Sequence, residues 1–524
     1  MAAGQSKKTP FYITTAISYV NGPPHLGHAY EAISTDVIAR FKRLDGYDVW
    51  FLTGTDEHGQ KVAKTAREAG KEPQELCDEI AALFQQMTAD LNISNDEFIR
   101  TTEPRHYESS KAIWQKLVDN GDIYLGNYEG WYSVRDEAFV DEDELTKADD
   151  GGLRAPSGAE VEWMEFPSYF FRLSAYQDKL LAHYKANPSF IQPDFRRNEV
   201  VSFVASGLRD LSVSRTTFDW GVPVPGDEAH VMYVWLDALT NYITAVGYPD
   251  VESPKYRTYW PADVHVIGKD IARFHAVYWP AFLMSAGVEL PKQVFGHGFL
   301  TIEGEKMSKS VGNVVTHTDL VDEFGLDQVR YFLMREVPYG NDGSFSREAI
   351  IHRINGDLAN DFGNLAQRVL SMIAKNCEGK VPEAGPLKPD DDALLEASRA
   401  ALPAMQAEMD KRAIHKALEV VWRVIAASNR YLDAQAPWAL RKTDPERMAT
   451  VLWVAAEAIR HLAILAQPVA PDAAARLLDQ LAVPAEVREF AHLTAEHALA
   501  AGTALPKPEG VFPRFVEDAP AVAE

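Results

Sequence analysis

An apolar, β-branched run at residues 11–18 stops on Asn21-Gly22-Pro23-Pro24 and gives way to residues repeating at helical spacing: Leu26, Tyr30, Ile33, Val37, Ile38, Phe41 and Leu44. The Asn, Gly and Pro residues predict a tight strand-to-helix turn, and Gly46 predicts the helix stop. Residues 48–54 read as a second strand, followed by a short helix ending near Gly70. The signature returns much later. Residues 264–268 read as a strand, 270–287 as a helix and 293–302 as a further strand. Two such stretches predict the halves of one doubly wound, Rossmann-type nucleotide-binding sheet.

The rest of the chain has a different texture. Its 524 residues exceed what one hydrophobic core supports, so several domains are expected. Residues 116–230 are acidic, aromatic and rich in turn residues, and read as a connective domain inserted between the halves. The reading is α/β plus all-α: residues 1–115 form the first half, 231–320 the second, and 321–350 a connector. Residues 351–505 form a C-terminal helix bundle and 506–524 an extended, Pro-rich tail. The bundle is predicted by Ile414, Leu418, Val421, Trp422, Ile425 and Leu432 at helical spacing, and by the absence of glycine from 386 to 501.

Two motifs carry chemistry. His25 and His28 fall at i and i+3 on the first turn of the first helix. Helix N-termini attract phosphate, two imidazoles there donate to phosphate oxygens, and Gly27 leaves room for a nucleotide. Lys306-Met307-Ser308-Lys309-Ser310 lies between Gly304 and Gly312, in a loop after a predicted strand. Lys306 and Lys309 suit developing charge on a polyphosphate, and Ser308 and Ser310 add donors. Taken singly, each motif has an ordinary explanation, as surface histidines or a solvated lysine loop. Together, one on each α/β half, they predict a single ATP-handling site.

With their surroundings, these residues resemble the class I aminoacyl-tRNA synthetases, and among them the methionyl-tRNA synthetase family. The blocks are AISYVNGPPHLGHAYE (16–31), TGTDEHGQK (53–61), VWLDALTNY (234–242), IGKDIARFHAVYWPAFL (267–283) and GHGFLTIEGEKMSKSVGN (296–313). The resemblance covers nearly the whole chain. It implies activation of methionine by ATP with Mg²⁺, then transfer to initiator and elongator tRNA(Met). His25, His28 and Gly27 would contact ATP, Asp270 its ribose, and Lys306 and Lys309 would act on the closing loop. Asp56 would take the methionine ammonium. Ala16, Ile17, Tyr19, Trp235, Leu239, Tyr242, Ile271 and His275 would line the side-chain pocket, with Arg215 nearby. An aromatic wall suits a thioether. Leu239 stands where some relatives have proline. Asn364, Arg368, Asn429, Pro437 and Trp438 would read the anticodon, the tryptophan by stacking on an unpaired base.

Departures and exclusions sharpen this expectation. Many family members carry a four-cysteine zinc knuckle in the inserted domain, but Ser133 stands where a thiol would be expected, and Cys77 and Cys377 are the only cysteines. No structural zinc is expected. The insertion is too short for a separate editing domain, so homocysteine is expected to be rejected within the synthetic site. A formal charge of −24 argues against a general nucleic-acid-binding surface yet permits a local basic patch. The N-terminus has no apolar leader and no uncharged run long enough to span a bilayer is read, giving a cytoplasmic, membrane-free expectation. No C-terminal dimerising barrel is recognised, so a monomer is expected. The short insertion disfavours synthetases for leucine, isoleucine and valine, and the missing zinc ligands disfavour cysteine. A non-catalytic descendant would be expected to lose His25, His28 or Lys309, and a small nucleotidyltransferase has no need of the bundle.

Overall fold

The structure is a computed structural model that describes residues 8–133, 138–140, 142–148, 151–302, 305–306 and 315–517. Seven parallel strands form the central sheet: β1 Pro10–Thr14, β2 Ser18–Tyr19, β3 Asp48–Asp56, β4 Glu97–Arg100, β5 Ile191–Gln192, β6 Val264–Gly268 and β7 Val294–His297. Their order is β5-β7-β6-β1-β3, with β2 and β4 both paired to β3. The apolar, β-branched composition of β1 reflects its place in mid-sheet, where both neighbours pair with it, Phe11 opposite Val49 and Ile13 opposite Val264. Strand order reverses at β1, between the early and late parts of the chain. In open parallel sheets such a switch point opens a crevice beyond the carboxyl ends of the strands.

Helix α1 (Leu26–Leu44) packs its predicted stripe inward and ends at Asp45, followed by Gly46 at φ 86°. Two expected elements differ. Residues 293–302 form two strands rather than one: β7 ends at His297, and Leu300–Ile302 joins a different sheet with Gly343–Phe345. The break falls at Gly298, where a Cβ would lie 2.2 Å from the Asn341 backbone. Residues 269–286 are not one regular helix either; a short 3₁₀ turn and a π turn (Phe274–Tyr278) precede Trp279–Ala286. His275 of the π turn lines the crevice, and such distortions are common at functional sites.

The stretch expected as an insertion contains a long hairpin, Ile123–Ser133 against Glu162–Phe171, extended by Leu211–Ser212. It is less separate than its composition suggested, because β5 at Ile191–Gln192 edges the central sheet through β7. Helix α2 (Val234–Thr244) then returns the chain to the crevice.

Helix α3 (Leu326–Glu336) leads into the bundle: α4 Asn364–Asn376, α5 Pro389–Asp410, α6 Ile414–Gln435, α7 Pro437–Thr443 and α8 Pro445–Ala466. By length and composition α8 could cross a membrane, which the sequence reading had not singled out; it is almost wholly buried as the bundle's central helix. Arg330 of α3 ties the bundle to the catalytic half. Its buried guanidinium donates to Asp36 of α1 at 2.6 Å and to the carbonyls of Leu91, Pro468 and Val469. Burial alone would raise the Asp36 pKa, but Arg330 and Arg40 outweigh it and keep the carboxylate ionised.

Candidate active site

A cavity of about 1030 Å³ occupies the crevice at the carboxyl ends of β1, β3, β6 and β7. It is lined by Ala16, Ile17, Tyr19, His25, Gly27, His28, Asp56, Arg215, Trp235, Leu239, Tyr242, Asp270, Ile271 and His275, so all the predicted catalytic-domain residues that the structure describes, Lys306 apart, converge on one space. Lys306 ends a two-residue strand beside Leu300–Ile302, while Ser308, Lys309, Ser310, Gly304 and Gly312 lie outside the described residues.

At one side of the cavity, His25 caps α1. Its Nδ1 accepts the Gly27 N–H at 3.0 Å, and its own N–H donates to His28 Nδ1 at 3.1 Å. The two rings stack at 3.8 Å between centroids. Each Nδ1 is thereby an acceptor, which assigns the ring hydrogen of each neutral imidazole to Nε2. Burial, helped by the neighbouring His25, pushes the His28 pKa down to about 3. His28 is therefore a neutral hydrogen-bond donor at the positive end of a helix.

Another wall of the cavity is built by β3 and α2. Asp56 closes β3; it is buried, and its Oδ1 has no hydrogen-bond partner among the described residues. Burial first, then the charges of Asp237 and Glu57, raise its pKa well above the usual carboxylate range. A buried acceptor left unsatisfied is costly and calls for a cationic donor. Trp235 stacks face to face on Phe274 at 3.5 Å. Tyr242 Oη lies 2.7 Å from His275 Nε2, and His275 Nδ1 lies 3.0 Å from the Ile271 carbonyl. The carbonyl only accepts, so His275 is protonated on Nδ1 and takes the tyrosine proton's hydrogen bond on Nε2. Burial lowers the His275 pKa to about 4, leaving a neutral, apolar-walled pocket. Arg215 is pinned by Ser212 Oγ and the Ser214 carbonyl and lies over the Tyr233 ring.

The bundle residues predicted together are also neighbours. Arg368 of α4 bridges to Asp433 at 2.7 Å and lies 5.2 Å from the Trp438 ring centroid. Asn429 donates to the Asp361 carbonyl, and Asn364 is exposed at the start of α4. Ala436, at φ 45°, turns the chain between α6 and α7; Pro437 is buried there and Trp438 is 46% exposed.

The family described as "tRNA synthetases class I (M)" matches residues 11–148 and 154–370, and the "anticodon binding domain of methionyl tRNA ligase" matches 381–522. The chain belongs to the methionyl-tRNA synthetase family. It is 63% identical to a methionine–tRNA ligase of Mesorhizobium japonicum, over 97% of this chain and 98% of that one. It also resembles a solved Mycobacterium tuberculosis methionyl-tRNA synthetase in complex with methionyl-adenylate, with TM-score 0.93 and 57% identity over 97% of this chain and 100% of that one. A free-state structure of the Mycobacterium tuberculosis enzyme matches at TM-score 0.89 and 52% identity, over 98% and 100%.

In this family member, the cavity groups beyond those expected from the sequence include Glu31, His297, Asp342 and Tyr132. Glu31 Oε1 accepts the Ala16 N–H, and its Oε2 lies 2.8 Å from His297 Nε2. His297 Nδ1 faces the Gly298 carbonyl at 2.8 Å. Both partners are acceptors, so the ring carries both protons. Burial opposes that charge, but Glu31, the Gly298 carbonyl and Asp270 outweigh it and raise the pKa. Asp342, at the cavity mouth, binds Lys269 Nζ and the Phe299 N–H. Tyr132 reaches the cavity from the long hairpin. Glu31 and His297 were inside the recognised blocks, yet 266 positions separate them and neither suggests the other.

Among the described residues, no three His, Cys, Asp or Glu side chains gather as a metal site. Ser133 is buried at the end of its strand.

Proposed function

We propose that the methionine carboxylate attacks the α-phosphorus of Mg²⁺-bound ATP in this cavity, forming methionyl-adenylate and releasing pyrophosphate. The 3′-terminal ribose hydroxyl of tRNA then attacks the adenylate carbonyl carbon, taking the methionyl group and freeing AMP. The observation carrying this reading is the unpartnered Asp56 Oδ1, which faces the same space as the stacked aromatic wall and the imidazole cap of α1. Asp56 holds the ammonium, and Trp235, Leu239, Tyr242, Ile271 and His275, with Ala16, Ile17 and Tyr19, enclose the thioether. His25 and His28 donate to ATP phosphates, Gly27 lets the nucleotide approach, and Asp270 holds its ribose. Lys306 and Lys309 stabilise the pentacovalent charge as their loop closes. Asn364, Arg368, Asn429, Pro437 and Trp438 select initiator and elongator tRNA(Met). The enzyme works as a cytoplasmic monomer.

The test is methionine-dependent ATP–pyrophosphate exchange, followed by charging of tRNA with the native and an altered anticodon. Exchange with methionine alone and charging confined to the native anticodon are expected; exchange driven by another amino acid would sink the assignment. A pH dependence also follows. The Asp56 pKa is raised, so its ionised fraction falls as pH drops through a range above that of ordinary carboxylates. The KM for methionine is therefore expected to rise on acidification through a range above that of ordinary carboxylates, while the KM for ATP changes little. A flat methionine KM over that range would remove Asp56 from the ammonium site.

A further inference from the structure

A buried polar array beneath the amino-acid end has no part in the scheme above. Asp237 lies on α2 between Trp235 and Tyr242 and is fully buried. Each carboxylate oxygen meets a different imidazole at 2.6 Å, Oδ2 with His58 Nδ1 and Oδ1 with His106 Nε2. His58 Nε2 in turn lies 2.8 Å from Tyr107 Oη. Burial alone would raise the Asp237 pKa, but the two histidines override it and hold the carboxylate well below its usual range. Packing does not explain this arrangement, because apolar side chains of similar volume would fill the space without the cost of desolvating a charge.

His58 connects the array to the substrate site. It stands two residues after Asp56, just beyond the end of β3. Asp237 thus grips, through the His58 ring, the segment of chain that leaves β3 directly after Asp56. The grip spans the chain's two halves, since 179 positions separate His58 from Asp237. The helix bearing Asp237 also carries Trp235, Leu239 and Tyr242, which wall the cavity. The charged groups around Asp56 are Asp237 and Glu57, the latter paired with Arg100, while Arg215 and Lys61 line the same cavity.

We propose that Asp237 is a positioning residue for methionine recognition: by holding the His58 ring it fixes the end of β3 that carries Asp56 and sets its register against the aromatic wall carried on α2. This rests on the reading of Asp56 as the ammonium acceptor. Neither end of the amino acid is located by one half of the chain alone, and Asp237 joins the two.

The experiment is ATP–pyrophosphate exchange by full-length Asp237→Asn, with Asp56→Asn measured alongside. Asp237→Asn keeps the shape of the side chain and removes its charge. It is expected to raise the methionine KM about tenfold, the consequence of loosening one buried charged hydrogen bond, with the ATP KM within about twofold of wild type. The acid limb of kcat/KM for methionine should also move to lower pH, because one of the negative charges that raise the Asp56 pKa is gone. A purely structural role predicts no such movement. If Asp56→Asn leaves the methionine KM unchanged, the ammonium reading fails and this proposal with it. If Asp56→Asn raises that KM while Asp237→Asn leaves it unchanged, or shifts both KM values equally with the acid limb unmoved, only the positioning role is overturned. His58→Ala cuts the same connection, and keeps the question open to measurement should Asp237→Asn not fold. It too is expected to raise the methionine KM selectively; an unchanged value would overturn the role.

Discussion

His28→Ala is expected to slow methionyl-adenylate formation about 10²- to 10³-fold, the usual loss when one donor to transition-state charge is removed. The size of the effect follows from how the ring is held. Its Nδ1 is committed to the His25 N–H and the ring stacks on His25, so Nε2–H is fixed in direction before ATP arrives. With a pKa pushed down to about 3, His28 stays neutral throughout the working range. It contributes an oriented dipole rather than a charge, and its rate effect should be flat between pH 6 and 8. The same substitution also deletes half of the α1 cap, at about 1 kcal/mol of stability. His28→Gln separates the two roles. Glutamine at this third helical position can return a hydrogen bond to the cap N–H and should recover melting temperature, but it does not restore the stacked donor. Recovery of both rate and stability by glutamine would assign His28 to capping alone. Methionine-dependent pyrophosphate exchange and thermal melting, measured on the same preparations, decide between them.

What could be read ahead of the structure was whatever is written locally. The turn chemistry of Asn21-Gly22-Pro23-Pro24, the stripe on α1 and the imidazole pair at its start all lie within about one helix length, and the structure keeps them. The cavity residues were accessible for a second reason: the recognised blocks surround the ends of four strands that the fold gathers at a switch point. Long-range causes were invisible. The strand break at Gly298 depends on Asn341 pressing against it, and the edge strand at Ile191–Gln192 is too short for alternation to register. The Glu31–His297 and His58–Asp237 pairs join residues that look, in sequence, like ordinary polar positions on a helix or loop. Their meaning is electrostatic and appears only when burial removes water from around them.

The far end of the molecule carries the second large effect. Trp438→Ala is expected to lower kcat/KM for tRNA charging about 10- to 100-fold, the cost of losing a base-stacking platform, while pyrophosphate exchange stays at the wild-type level. A tryptophan left 46% exposed at the first turn of α7 contributes little to the bundle's core, so its removal should leave the melting temperature almost unchanged. Its presentation is nevertheless built. Ala436 adopts a left-handed conformation uncommon for a residue with a Cβ, Pro437 is buried beneath the turn, and the Arg368 guanidinium lies over the indole while bridging to Asp433. Strain of this kind, held by the surrounding helices, is a mark of a surface shaped for use. The decisive comparison pairs the protein variant with a tRNA variant. If the indole reads the anticodon, Trp438→Ala should cost little against a tRNA whose anticodon is already altered, because the contact is lost only once. Additive losses would place Trp438 outside the anticodon contact, and an equal fall in charging and exchange would mark it as a folding residue.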